Sequence, residues 1–316
     1  MAEANYRQDG NSIDWTPTAA VAAGEVIHLP DGRAAFAPTA IAAGVLGAVQ
    51  VSGIATVLKT ATMVMLKGSK LYWDTSASAA HLLFGANTAD YFLGTVDTTA
   101  ASAATTVNVI LNVKPCYTLA LEDGFTAVPI PAITANPKGM AFAHGNGISM
   151  VFDTAAEAEK FDALSTRGIA VATTGILHAL VNIVENGDDV AFDFNVGLAN
   201  ATHATDADTI TESLFAHIDG GSLNIMAESD DGTTEVTSTD TTVDAVVGTP
   251  FLVQWDLTDN ADIQMYIDGV NVLPNSVFKL NAATGPLKLL AHMEKTANDS
   301  PASFTIMDLG FTAFDV

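Results

Sequence analysis

Basic residues are scarce in this chain. Twelve Lys and Arg stand against thirty-six Asp and Glu, for a formal net charge of −24. A nucleic-acid binder neutralises phosphates with clustered Lys and Arg, so that class of partner is excluded. An anionic membrane surface would be repelled as well. Cysteine is nearly absent: Cys116 stands alone, which rules out an intrachain disulfide and leaves a small buried apolar side chain as its expected role. No Gly-Lys pair occurs, so the phosphate loop of an ATP-dependent enzyme is missing. Long apolar runs are missing too. The stretch from Ala34 to Val51 is broken by Pro38, Gly44, Gly47 and Gln50, which suits strands better than a membrane span. The N-terminus carries Glu3 and Asp9 and has no basic-then-apolar run, so no secretory signal is expected.

What is present is Ala, Thr, Val and Gly in quantity, with turn residues at short intervals. That pattern favours many short strands and an all-β class. The length of 316 residues suggests about two domains. Charge divides the chain in the same way. Residues 1–113 hold eight acids against five bases, a net of −3, which leaves −21 of the −24 for residues 114–316. An acidic, lysine-poor surface of that kind stays soluble at high ionic strength, where salt screens its self-repulsion.

Residues 1–18 are polar and aperiodic, with Tyr6, Ile13 and Trp15 spaced along them. They read either as a frayed terminus or as an extended arm that orders by adding to another protein's sheet. Residues 19–113 read as a small β module. The turn Pro30-Asp31-Gly32-Arg33, the stretch Gly68-Ser69-Lys70-Leu71-Tyr72-Trp73-Asp74, and the alternating strand Thr106 to Asn112 are its clearest pieces. In the Gly68 stretch the leucine and the aromatics are expected to face a core while Lys70 and Asp74 stay wet.

Four phrases of this first third occur in a characteristic order: Asn5 to Asp14, Ala22-Ala23-Gly24-Glu25-Val26, Gly68 to Asp74, and Leu93-Gly94-Thr95-Val96 followed by Val107 to Asn112. Together they resemble the small capsid-decoration proteins of tailed bacteriophages, related in fold to the lambda head decoration protein. The resemblance implies a homotrimer on the threefold positions of an expanded head, bound to the major capsid protein. It also implies a location on the outer surface of the virion, after synthesis in the host cytoplasm. The N-terminal segment would be the capsid-binding arm, with Asn5, Tyr6, Arg7, Ile13 and Trp15 as its contacts. Small members of that family would stop near Lys114-Pro115, a plausible joint because Pro115 cannot donate to a ladder.

Residues 114–316 lie beyond the resemblance and read as a larger, acidic β-sandwich of jelly-roll or concanavalin-like type. Strands are expected at Phe192 to Val196, Leu223 to Met226, Ile263 to Ile267 and Phe304 to Ile306, with acidic turns between them. The phrase Phe251 to Asp256 with Ile263 to Gly269 looks like the back-sheet hairpin of concanavalin-like or laminin-G-like sandwiches. One helix is expected, over Ala155 to Leu164, capped by Asp153 or Thr154.

Chemistry is thinly signalled. The seven histidines (His28, His81, His144, His178, His203, His217, His292) show neither His-x-x-x-His nor Cys/His ligand spacing, so a transition-metal centre is not expected, and no cofactor is. Asp188 and Asp189, Asp206 and Asp208, and Asp230 and Asp231 could converge on calcium at a sandwich edge. Solvated turn acids are the simpler account of them. Trp255 and Tyr266 could offer a stacking face for host or environmental glycans, or could sit in a sandwich core. Neither a nucleophile motif nor a defined carboxylate pair marks an enzyme, and none is expected.

Overall fold

The computed structural model describes residues 11–84, 89–120, 125–127, 139–142, 147–154, 156–186, 192–203, 206–298 and 301–314. The chain divides into two compact units, Met1–Pro115 and Cys116–Val316. Both are all-β, in agreement with the class read from turn spacing and alternation.

The first unit contains β1 (Ser12–Trp15), β2 (Val26–His28), β3 (Ala34–Phe36), β4 (Gly47–Gln50), β5 (Ile54–Leu58), β6 (Lys70–Asp74), β7 (Ala79–His81), β8 (Tyr91–Thr98) and β9 (Thr106–Leu111). They form a four-stranded sheet in the order β1-β4-β3-β2 and a five-stranded sheet in the order β5-β9-β8-β6-β7. Val21, Ile27, Leu29, Ile41 and Val49 fill the core beside the smaller sheet. Asn112 ties the two sheets together. Its side chain accepts from Ala34 N at 2.9 Å and donates to Ala34 O and Val51 O at 2.8 and 2.7 Å. The residue adopts φ +58°, a conformation that asparagine tolerates better than most residues.

Strand alternation corrects one detail of the Gly68 stretch. Leu71 and Trp73 are buried on one face, while Tyr72 shares the other, half-exposed face with Lys70 and Asp74. Tyr72 packs there edge-on against Phe84 and Phe92. Asp74 accepts from Ser76 N and Ala77 N and so closes the following turn.

The second unit contains β10 (Leu119–Ala120), β11 (Phe125–Ala127), β12 (Gly139–Phe142), β13 (Ile148–Phe152), β14 (Glu157–Ser165), β15 (Gly175–Glu185), β16 (Phe192–Ala199), β17 (Glu212–Asp219), β18 (Asn224–Asp231), β19 (Glu235–Asp244), β20 (Phe251–Asp256), β21 (Gln264–Ile267), β22 (Val270–Asn271), β23 (Lys288–Asn298) and β24 (Ala302–Ala313). One sheet runs β12-β13-β24-β15-β20-β21-β22, with β10 also on β24; the other runs β11-β14-β23-β16-β17-β18-β19. The two sheets share one core, crossed by Phe194 against Phe304 at 5.0 Å and Phe152 against Phe192 at 6.4 Å. This is a two-sheet sandwich. β20 and β21 pair as the hairpin anticipated from their sequence, Val253 opposite Ile267. Trp255 goes into the core against Phe278, and Tyr266 takes the other face of its strand.

Two expectations fail. Of the segment expected as a helix over Ala155 to Leu164, Glu157 to Leu164 lie instead in β14, paired with β23 and β11. Its helix-forming residues alternate in the sheet. Phe161 and Ala163 face the sandwich core, and the intervening Lys160 and Asp162 pair with each other at 2.9 Å while buried. Tertiary pairing here outweighs local propensity. Cys116 is exposed; it follows Pro115 in the irregular stretch between β9 and β10, with no ladder or core to take it.

Candidate functional site

The outward face of the seven-stranded sheet carries the most concentrated chemistry among the described residues. Phe192, Phe194 and Val196 of β16 enter the core, so Asp193 and Asn195 point the other way. Strand register then lines up Asp162, His292, Asn195 and His217 across β14, β23, β16 and β17. A segment containing the 3-10 turn Ala207–Thr209 folds over this face. Ala207 and Ile210 pack with Ala199, Phe215 and Leu290 in a second small apolar cluster. The polar row is thus covered rather than open to water, and Asp208 is carried down onto it.

His217 is the centre. Its Nε2 lies 3.1 Å from Asp193 Oδ1, its Nδ1 3.2 Å from Asp208 Oδ2 and 3.9 Å from Glu228 Oε2. The Ser238 hydroxyl is 3.4 Å from Nδ1. Asn195 Nδ2 donates to Asp208 Oδ1 at 2.8 Å, which orients that carboxylate. Asp208, Ser213, Glu228 and Ser238 line a recess of about 240 Å³. One donor atom each from Asp208, His217 and Glu228 lie within 4.8 Å of one another, a spacing that can hold a metal ion.

Electrostatics bind the group together. Burial alone would depress the His217 pKa, but hydrogen bonds to Asp193, Asp208 and Glu228 outweigh it and push the imidazole up to about 12. Burial, aided by the charge of Asp208, pushes Glu228 up to about 7 despite the opposing pull of His217. Asp208 resists the upward push of burial and ends below the ordinary carboxylate range, through its hydrogen bond and attraction to His217. Further along the row, His292 Nδ1 meets Asp162 at 2.7 Å and Nε2 meets Glu294 at 3.1 Å. Those carboxylates raise the His292 pKa against its burial.

The residues singled out from sequence fall elsewhere. Asn5, Tyr6 and Arg7 lie outside the described residues, as do Asp188 and Asp189. Ile13 and Trp15 sit in β1, paired with β4 and packed on the unit's own core. Asp230 and Asp231 end β18 and brace the turn into β19. Asp230 accepts from Gly232 N, and Asp231 accepts from Thr233 N, Thr234 N and Ala282 N. Asp206 accepts from Asp208 N at the head of the 3-10 turn. Asp208 alone of these joins the cluster. Asp193 and Glu228 escaped notice, and His217 was set aside for want of ligand spacing, because metal and catalytic spacings are rules for single helices and loops, whereas these residues meet across strands. A signal was present in Glu212-Ser213-Leu214-Phe215-Ala216-His217-Ile218: apolar residues occupy both faces of β17, the mark of a strand covered on both sides.

Residues 7–111, about one third of the chain, match the sequence profile of a family described as phage cement protein. Comparison with curated proteins finds no match. Among solved structures, the Emp47p carbohydrate recognition domain is similar at 11% identity, covering 59% of this chain and 88% of that one with a TM-score of 0.42. The alginate lyase AlgAT5 of polysaccharide lyase family 7 follows at 13%, 63% and 93%, with a TM-score of 0.39. The carbohydrate-binding module CBM66 from Bacillus subtilis stands at 9%, 61% and 96%, with a TM-score of 0.38. At these scores the likenesses carry no functional weight.

Proposed function

We propose that the protein is a structural component of a tailed-phage virion: a homotrimeric cement protein that binds the major capsid protein at threefold positions and displays the acidic sandwich outward. The observation that carries this reading is the match of residues 7–111 to phage cement proteins. Two features of the first unit support it. Residues 1–113 carry a net charge of only −3, which lowers the repulsion on docking against a shell. β1 is an edge strand of its sheet, so a strand of the capsid protein can add beside Ser12–Trp15, with Asn5, Tyr6 and Arg7 extending the contact. Each trimer then makes several modest contacts at once, and their avidity exceeds that of any one.

Cryo-electron microscopy of virions tests the placement. Density for this chain at the threefold positions of the head is expected, and a tail location would overturn the assignment. Co-sedimentation with expanded heads tests the arm: removal of residues 2–11, which leaves β1 in place, should weaken binding sharply while preserving the oligomer.

A second reading, glycan or receptor binding by the sandwich, is favoured by the recess on its outward face, where Asp208 and Glu228 carboxylates stand beside the hydroxyls of Ser213 and Ser238. A glycan array with and without calcium tests it; silence in both conditions removes it.

A further inference from the structure

We infer that Asp208, His217 and Glu228 form a binding site for one divalent transition-metal ion of the zinc class, on the outward face of the seven-stranded sheet. Three donors arrive from three elements: the 3-10 turn Ala207–Thr209, β17 and β18. Their spacing fits such an ion. Bonds of about 2.0–2.2 Å at tetrahedral angles put neighbouring ligand atoms about 3.3–3.6 Å apart. His217 Nδ1 is 3.2 Å from Asp208 Oδ2 and 3.9 Å from Glu228 Oε2, and all three donor atoms lie within 4.8 Å of one another, so the carboxylates need only draw inward to close the set.

The surroundings are arranged as the outer partners of a metal site are. Asp193 Oδ1, 3.1 Å from His217 Nε2, accepts a hydrogen bond from that nitrogen and fixes the ring so that Nδ1 is the nitrogen turned towards the two carboxylates, where the ion would take the place of its proton. Asn195 occupies Asp208 Oδ1, which leaves Oδ2 for the ion.

An independent observation points to a ligand. Glu228 is 7% exposed, and its Oε1 is buried with no hydrogen-bond donor. A carboxylate oxygen in that state bears an uncompensated desolvation cost. A cation held between the exposed Asp208 and the buried Glu228 relieves Glu228, and the recess beside them leaves room for a water molecule as the fourth ligand. One imidazole nitrogen with two carboxylate oxygens suits zinc, and by the same ligand chemistry manganese or cobalt. Calcium, which takes six to eight oxygens, is disfavoured.

The test uses the full chain, stripped with a chelator and titrated with zinc chloride by calorimetry. One equivalent should bind. Asp193→Asn should weaken binding by about 10–100-fold, as loss of an outer partner does; Glu228→Gln and Asp208→Asn should weaken it further. Circular dichroism checks that each variant keeps its fold. Cobalt(II) provides a readout that needs no variant: its visible spectrum in the unmodified protein should show low-coordinate nitrogen and oxygen ligation. Absence of one-equivalent zinc binding, an octahedral cobalt spectrum, or unchanged affinity in folded Glu228→Gln and Asp208→Asn would each overturn the assignment.

Discussion

The first unit builds two small sheets from strands of three to eight residues, the smaller of them over an aliphatic cluster, whereas the second packs strands of up to twelve residues around a core rich in phenylalanine. Buried charge follows the same divide. Lys59 and Asp90 are the buried charged residues described in the first unit. The second sinks Glu159, Lys160, Asp162, Glu212, Glu228, Asp231, Lys295 and Asp308 below the surface. Its acidity is therefore more than a solvated coat: part of it is structural, held by pairing and by backbone donors. A buried carboxylate persists only where something compensates it, and the two units differ mainly in how many such compensations they contain.

The largest expected effect separates the two cores. Phe194, fully buried and packed against Phe192 and Phe304, should cost about 3–5 kcal/mol as Phe194→Ala. Scanning calorimetry should show the loss in the transition of the sandwich alone; an equal shift of both transitions would break the separation. Glu212 comes next. Its carboxylate accepts from Thr284 N and Oγ1, Gly285 N and Asn200 Nδ2. Glu212→Gln should cost about 1.5–3 kcal/mol near neutral pH. Burial raises its pKa, but those hydrogen bonds bring it below the ordinary value of 4.5. The wild-type advantage in urea midpoint should therefore hold above pH 4.5 and disappear as the pH falls below it.

In the first unit the corresponding test is Asn112→Ala, which removes three hydrogen bonds and leaves the buried Ala34 groups unpaired. A loss of about 1–3 kcal/mol is expected, read by denaturant unfolding, and a neutral result would mean that the sheets need no such tie. Glu228 gives a smaller, pH-shaped effect. With its pKa raised from 4.5 to about 7, its contribution to stability is fully present below pH 4.5 and is lost as the pH rises through 7. In chelator, Glu228→Gln should flatten the melting temperature across that window; parallel slopes for variant and wild type would refute the burial argument. The smallest effect is at Arg33, whose ion pair with Asp31 is solvent-exposed on both sides. Arg33→Ala should leave the melting temperature unchanged at physiological salt.

Much of the fold was legible because alternation and turn residues are local signals. The β20–β21 hairpin and the strands at β16 and β24 follow from them. β14 was illegible because its charged residues have helical propensity when read alone, and only the opposing His292 and Glu294 of β23 make sense of Asp162 and Lys160. The cluster around His217 was hidden for the same reason at longer range. Its members are separated by 11 residues between His217 and Glu228 and by 24 between His217 and Asp193, and they meet through register. Asp208 was visible as an acid, yet its partners were not.

The environment of His217 also affects how the protein behaves in an electric field. The formal charge of −24 counts every histidine as neutral, but His217 holds its proton up to about 12 and Glu228 keeps part of its own near neutrality. The metal-free protein should therefore migrate as a less acidic particle than its composition indicates. It should elute earlier from an anion exchanger at pH 6 than at pH 8, an interval in which imidazoles also ordinarily lose charge, and the difference should be smaller in Glu228→Gln by the share that Glu228 itself contributes.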